Sequence, residues 1–202
     1  RIDQIAGLTL ALSQRPAFSH YLRHRFAFPE VDIVPYHGSV TPFLHDQSYA
    51  MQGYLFSEPV VARRLGADAR ALLVADTGFN PYASVLIATE QTLSEHPGLV
   101  ASMVDASVAG WHRYLDAPEA TNRHIQQLNP EMDIEVLRAG ARLSHELVLD
   151  AEALRHGLGT MSAARWQRLI AQMEEAGVVG QGRVRADACF TSRFLPASAD
   201  LE

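Results

Sequence analysis

Polar and aromatic side chains follow apolar, strand-like runs at three places in the sequence. These places are the loops SQRPAFS at 13–19, YLFSEP at 54–59 and ADTGFNPYAS at 75–84. Ligands of open α/β sheets bind beyond the carboxyl ends of the strands, so these loops are the predicted ligand site. The side chains that we expect to bind a ligand are Ser13, Arg15, Ser19, Ser57, Glu58, Phe79, Asn80 and Tyr82.

Each loop also has a simpler interpretation that the sequence leaves open. The turn at 13–19 offers backbone N–H groups to an anion or polar group, or it is a helix cap with a proline. Glu58 is a ligand acceptor, or it complements the dipole of the helix that begins beside Pro59. Phe79 and Tyr82 present aromatic faces to a ligand, or they pack in an ordinary loop.

Strands and helices alternate in the first half of the chain, which predicts an α/β fold with a mainly parallel sheet. The predicted strands are Gly7–Ser13, Val31–His37, Met51–Ser57, Ala71–Asp76 and Ala83–Thr89. The predicted helices between them are Pro16–Phe26, Thr41–Tyr49 and Pro59–Gly66. The later part is helical, at Pro97–Leu115, Pro118–Gln127, Ile134–Leu149 and Met161–Ala176, with Trp111 and Trp166 expected in the core.

Composition excludes several kinds of protein. The 202 residues carry a net charge of -6, with scattered basic residues, so we expect no nucleic-acid partner. All 17 basic residues are arginine, which removes Schiff-base and P-loop lysine chemistry from this chain. Cys189 is the only cysteine, so there is no internal disulfide. His20 and His24 are expected on a hydrated helix face, and we predict no metal, cofactor or catalytic residue.

Four stretches, taken in order, resemble a family of transport proteins. They are GYLFSEPVVARRLG, LLVADTGFNPYASVLIAT, HPGLVASMVDASVAGWHRYLDAPEATN and GLGTMSAARWQRLIAQMEEAGV. The chain resembles the solute-binding proteins of nitrate/sulfonate/taurine-type ABC importers. The resemblance is strongest to the branch that shares its fold with thiamine-pyrimidine synthases and with binders of thiamine precursors and riboflavin.

The resemblance implies a type II periplasmic-binding-protein fold, in which two lobes close over a small molecule. Residues 1–76 are then the α/β second lobe, 77–195 return to complete the first lobe with a C-terminal helical segment, and 196–202 form a tail. The opening strands of the first lobe are expected to be missing, so the chain is expected to be part of a longer protein. The resemblance also implies a membrane permease as partner, a monomer, and a periplasmic or outward-facing lipid-anchored location.

The resemblance places Ser57 and Glu58 in the cleft between the lobes. A carboxylate enclosed there is costly unless it meets a donor, so Glu58 favours an aminopyrimidine or another nitrogen heterocycle over an anion. An aromatic ring of Phe79 or Tyr82 would stack on that heterocycle. The first alternative is a receptor for a sulfonate, taurine or nitrate that uses Arg15 and the turn at 13–19.

Two further alternatives come from the resemblance. One is a pyrimidine-synthesis enzyme that uses iron or pyridoxal phosphate. Such enzymes carry a cysteine cluster where this chain has FNPYA at 79–83, so we expect a binding protein and not an enzyme. The other is a sensing domain fused to a signalling module.

Overall fold

The computed structural model describes residues 1–196, so the predicted tail at 196–202 lies outside it except for its first residue. The chain divides into two compact units. We call residues 1–81 together with 163–189 the sheet unit, and residues 82–162 with the described residues from Phe190 onward the helical unit. The assignment of these parts to the two lobes of a binding protein stays a prediction.

The sheet unit contains three short parallel strands in the order β2-β1-β3. The strands are β1 (Thr9–Ala11), β2 (Asp32–Val34) and β3 (Tyr49–Met51). Its helices are α1 (Ala17–Phe26), α2 (Thr41–His45), α3 (Glu58–Arg64) and α9 (Ala163–Glu175), with 3-10 turns at Ile2–Gln4, Val74–Thr77 and Ala186–Ala188. Helices in the crossovers between successive strands give the parallel pairing that the sequence predicted.

The core of the sheet unit surrounds the central strand. Leu10, Ala11 and Leu12 are at most 8% exposed, which is typical of a parallel strand covered on both faces. Further large apolar side chains join Leu10 and Leu12 from other elements: Tyr21, Leu22, Phe28, Phe79 and Met173. The core therefore fixes the central strand, and the loops that leave its carboxyl end start from a rigid base.

The third strand lies earlier than the sequence predicted. We expected a strand at Met51–Ser57 after a helix at Thr41–Tyr49, whereas α2 ends at His45 and β3 ends at Met51. Pairing decides this boundary, because residues 49–51 align with residues 9–11 of β1. Beyond Met51 the chain turns, and the Ser57 N–H donates to the Tyr54 carbonyl at 2.9 Å.

The predictions of strands at Ala71–Asp76 and Ala83–Thr89 are wrong. The first stretch is irregular and runs into the 3-10 turn Val74–Thr77, which Gly78 closes at a φ of 93°. The second has no regular structure, and Ile87 within it is 90% exposed. Strand propensity needs a neighbouring strand to supply hydrogen-bond partners, and no described residue pairs with either stretch.

The helical unit consists of α4 (Glu90–Glu95), α5 (Pro97–Asp116), α6 (Glu119–Leu128), α7 (Ile134–Val148) and α8 (Ala151–His156). Periodicity predicted four helices in the later part of the chain, which are α5, α6 and α7 here and α9 in the sheet unit. Each of them begins and ends within two residues of its predicted bounds. Arg138 on α7 forms an ion pair with Glu119 on α6, which joins these two helices. Trp111 is 44% exposed, so the prediction that it is a core residue is wrong.

Candidate ligand-binding site

Glu58 joins the loops that leave the two outer strands of the sheet. The Tyr36 hydroxyl donates to Oε1 of Glu58 at 2.7 Å, and the Tyr54 N–H donates to Oε2 at 2.7 Å. Tyr36 lies just after β2 and Tyr54 just after β3. The carboxylate is therefore held at the carboxyl ends of the strands, where open α/β sheets bind their ligands.

Gly53 makes room for this carboxylate. A Cβ atom on Gly53 would lie 3.0 Å from Oε2 and from Cβ of Glu58, and 3.1 Å from its Cδ. Such distances are shorter than ordinary contacts between non-bonded carbon atoms, which begin near ~3.5 Å. Only glycine at this position lets Glu58 approach the backbone closely enough to accept from Tyr54.

The exit of the central strand is connected to the exit of β3. The Ser13 N–H, just after β1, donates to Oε1 of the Gln52 side chain at 2.7 Å. Gln52 comes directly after β3, and its own N–H donates to the Ala11 carbonyl at 2.9 Å. Three strand exits are thus linked by two side chains, Gln52 and Glu58.

The Tyr36 hydroxyl remains a hydrogen-bond donor to Glu58 because its pKa is raised. Burial, followed by the hydrogen bond to Glu58 and the charge of that carboxylate, raises the pKa of Tyr36 to about 12. The phenol therefore stays protonated and donates throughout the ordinary pH range. Each carboxylate oxygen has two acceptor positions, so Glu58 retains acceptor capacity after these two hydrogen bonds.

An exposed pair of aromatic side chains, Tyr54 and Phe56, precedes Glu58 by four and two residues. The rings of Tyr54 and Phe56 stack with centroids 5.3 Å apart and planes 21° from parallel. Their residues are 64% and 37% exposed. A flat apolar surface is thus available to a ligand ring beside a carboxylate that accepts hydrogen bonds.

The predicted residues of the first two loops lie at different depths. Ser13, Ser57 and Glu58 are half-buried at the strand ends, and Arg15 is exposed in the loop after β1. Ser57 precedes α3, but its side chain makes no capping hydrogen bond. Ser19 lies on α1 and is fully buried, at 0% exposure.

The predicted residues of the third loop are engaged elsewhere. Phe79 is 3% exposed and stacks on Tyr21 with ring centroids 4.7 Å apart. In the sheet unit, the Asn80 carbonyl accepts from Arg165 Nε at 2.7 Å, and the Asn80 Oδ1 from the same guanidinium at 3.2 Å. This loop therefore supplies core and bracing contacts, and the ligand role of Phe79 and Asn80 stays a prediction.

Tyr82 lies in the helical unit. Its hydroxyl donates to Oε2 of Glu152 at 2.9 Å and accepts from the Ser162 N–H at 2.7 Å. These contacts connect the start of the helical unit to the residues around α8. A ligand contact by Tyr82 also stays a prediction.

Sequence reasoning missed the residues that flank Glu58. They are Tyr36, Gln52, Gly53, Tyr54 and Phe56. The signal was available in principle, because each follows a parallel strand within a few residues. It was obscured because we extended β2 to His37 and β3 to Ser57, although Tyr54 and Phe56 also fell in the loop at 54–59 that we predicted to bind a ligand.

The described part of the chain offers neither a cluster of metal ligands nor a membrane-spanning helix. Within residues 1–196, no three His, Cys, Asp or Glu side chains form a group that can hold a metal ion. Over the same residues, no helix combines the length and apolar character that crossing a membrane requires.

The small parallel sheet and its flanking helices form an α/β fold, consistent with part of a protein of the type II binding-protein class. Comparison with known families agrees, since the family described as "NMT1/THI5 like" matches residues 5–121, more than half of the chain. The chain belongs to the NMT1/THI5-like family, which confirms the resemblance seen in the sequence.

A curated relative is also similar to this chain. It is the riboflavin-binding protein RibY of Chloroflexus aurantiacus, 29% identical over 150 residues. The matched region covers 73% of this chain and 42% of the relative. The chain thus spans about two fifths of the length of the curated relative it matches.

Proposed function

We propose that this protein is the solute-binding component of an ABC importer, and that it captures a small nitrogen heterocycle such as a thiamine pyrimidine precursor. The observation that carries the proposal is the Glu58 carboxylate, held by Tyr36 and Tyr54 at the carboxyl end of the sheet. Its remaining acceptor positions suit the N–H groups of a heterocycle. The stacked rings of Tyr54 and Phe56 suit the flat face of the same ligand.

The family and the relative support the heterocycle over other ligands. A relative named for riboflavin binding handles a ligand with an N–H group in a flat ring system. We extend this chemistry, and not the identity of the ligand, to the present chain. Both riboflavin and an aminopyrimidine present a ring face and a hydrogen-bond donor.

The anion-receptor alternative has less support from the site. Two N–H groups of the turn at 13–19 are already engaged, because the Ser13 N–H donates to Gln52 and the Ser19 N–H to the Pro16 carbonyl. An anion beside Glu58 would also place two negative charges together in a site from which water is removed on closure. Arg15, the cation that this alternative uses, is exposed.

The proposed mechanism is capture and delivery without a chemical step. Residues 1–76 would belong to the second lobe, and closure of the lobes over the ligand would create the surface that a membrane permease recognises. We further propose that the protein acts as a monomer in the periplasm or on an outward-facing lipid anchor. The alternative of a pyrimidine-synthesis enzyme predicts bound iron or pyridoxal phosphate, which metal analysis and an absorbance scan of the purified protein detect.

Calorimetric titration tests the proposed ligand class. The probes are riboflavin, 4-amino-5-hydroxymethyl-2-methylpyrimidine, taurine and nitrate, each added to the purified protein. We expect binding of a heterocycle, weakened at least tenfold by Glu58→Gln and by Tyr54→Ala, because each variant removes one predicted contact. Trp111→Ala, which removes an exposed aromatic side chain from the helical unit, is the control and should leave affinity unchanged.

Two results would overturn the proposal. Binding of taurine or nitrate with loss on Arg15→Ala, and no effect of Glu58→Gln, would favour the anion receptor. Binding of a heterocycle that is insensitive to both Glu58→Gln and Tyr54→Ala would move the site away from the strand ends.

A further inference from the structure

The side-chain amide of Gln52 has an orientation that the structure determines. Its partner is the backbone N–H of Ser13, at 2.7 Å. A backbone N–H only donates, so the atom of Gln52 that faces it must be the oxygen. The two donors on Nε2 must then point elsewhere, and no acceptor for them is found among residues 1–196.

The amide of Gln52 and the carboxylate of Glu58 lie at the same place on the sheet. Gln52 reaches from β3 to the end of β1, the central strand. Glu58 is held between the loops that follow β2 and β3, the strands on either side of β1. Adjacent strands are about 4.8 Å apart, so both groups lie around the carboxyl end of one strand.

We infer that Gln52 is a specificity-determining residue, whose Nε2 donates to an acceptor on the ligand while Glu58 accepts from a neighbouring donor. This inference rests on the proposed function. It narrows the ligand class to heterocycles in which a hydrogen-bond acceptor is next to an N–H group on one edge. The imide of a pyrimidinedione has this edge, and so does a ring nitrogen next to an exocyclic amino group.

Gln52→Glu is the informative variant. It keeps an oxygen that can accept from Ser13, but it replaces the donor Nε2 with a second acceptor. The matched control is Gln14→Glu, which adds the same charge to an exposed position in the loop directly after Ser13. Thermal unfolding of both variants shows whether the fold is retained.

The expected result is a change in ligand discrimination. The probes are riboflavin and 4-amino-5-hydroxymethyl-2-methylpyrimidine, each with an analogue whose edge acceptor is weakened. The analogues are the flavin with thiocarbonyl groups on both sides of its imide N–H and the pyridine in which C–H replaces the ring nitrogen next to the amino group. The unmodified protein should prefer the parent compound about tenfold or more, because the analogue leaves the Gln52 amide unpaired. Gln52→Glu should abolish this preference, and Gln14→Glu should keep it.

The outcomes separate this inference from the proposed function. If the unmodified protein binds neither parent compound, the proposed function fails. A second outcome is that the unmodified protein binds a parent compound and Glu58→Gln weakens this binding, but the Gln52→Glu variant still prefers the parent compound to its analogue. In that case only the inference about Gln52 fails. If Gln52→Glu and Gln14→Glu weaken the parent and its analogue equally, added charge explains the loss, and the inference is again wrong.

Discussion

Replacing Gly53 with alanine tests whether the site depends on the close approach of Glu58 to the backbone. The added Cβ would lie 3.0 Å from two atoms of Glu58, so the side chain must move by a few tenths of an ångström. That movement lengthens the two 2.7 Å hydrogen bonds from Tyr36 and Tyr54. We expect both lower stability and weaker ligand binding.

The magnitude follows from two opposing effects. A hydrogen bond to a charged group contributes about 1.5–3 kcal/mol, and partial loss of two such bonds at a half-buried site costs about 1.5 kcal/mol. Gly53 does not have a positive φ, so alanine fits its backbone and recovers about 0.5 kcal/mol through the unfolded state. The net loss is about 1 kcal/mol, or about 3 °C in melting temperature for a chain of 202 residues.

Urea unfolding of Gly53→Ala, Tyr36→Phe and the double variant measures this effect. If the alanine acts by displacing Glu58 from Tyr36, it should cost less in the Tyr36→Phe background. Gly180→Ala is the matched control, because its Cβ would also lie 3.0 Å from a side chain, but that side chain is the exposed Arg183. Equal effects of the two glycine substitutions, or no coupling to Tyr36→Phe, would refute the reasoning.

Three further substitutions test contacts across the fold. Burial and the hydrogen bond to Glu58 raise the pKa of Tyr36 from 10 to about 12, so the stability that the protonated phenol contributes is full below pH 10 and is lost as pH rises towards 12. Tyr36→Phe should therefore flatten the profile of stability against pH in that alkaline window, as measured by urea unfolding. The hydrogen bond from Arg138, aided by Arg123, lowers the pKa of Glu119 from 4.5 to about 2. Glu119→Gln should therefore reduce the loss of stability between pH 4.5 and 2, and an unchanged acid limb by circular dichroism would contradict the pairing. Oγ of Ser19 is buried without a partner among residues 1–196, so Ser19→Ala should raise stability by up to about 1 kcal/mol in urea unfolding, and a loss of stability would contradict this reasoning.

Local signals predicted the helices better than the strands. The helix α5 begins at Pro97 as predicted, because proline at a first turn and apolar residues at three-to-four spacing are properties of the segment itself. The segment at 83–89 has strong strand propensity but forms no strand, since pairing depends on residues that are distant in the sequence. The same dependence shifted β3 to Tyr49–Met51.

The candidate site was predicted in part. The loop after β3 was identified, and Glu58 lies at the strand ends as its sequence position indicated. Tyr36 and Gln52 were missed, because their roles depend on contacts with residues 22 and 39 positions away in the sequence. Phe79 was expected either to face a ligand or to pack in its loop, and it packs in the core on Tyr21, because an aromatic residue in a loop is as suited to burial as to ligand contact.

The resemblance of four stretches indicated the family. The sequence by itself determined the α/β class, the four helices α5, α6, α7 and α9, and the acidic loop after the third strand. These follow from composition, from periodicity and from local residue order, which do not depend on how the chain folds back on itself. Only the tertiary structure decided which strands pair, which aromatic side chains are exposed, and how the carboxylate of Glu58 is held. Hydrogen bonds such as those from Tyr36 to Glu58 and from Ser13 to Gln52 form between strand ends that the parallel sheet alone brings together.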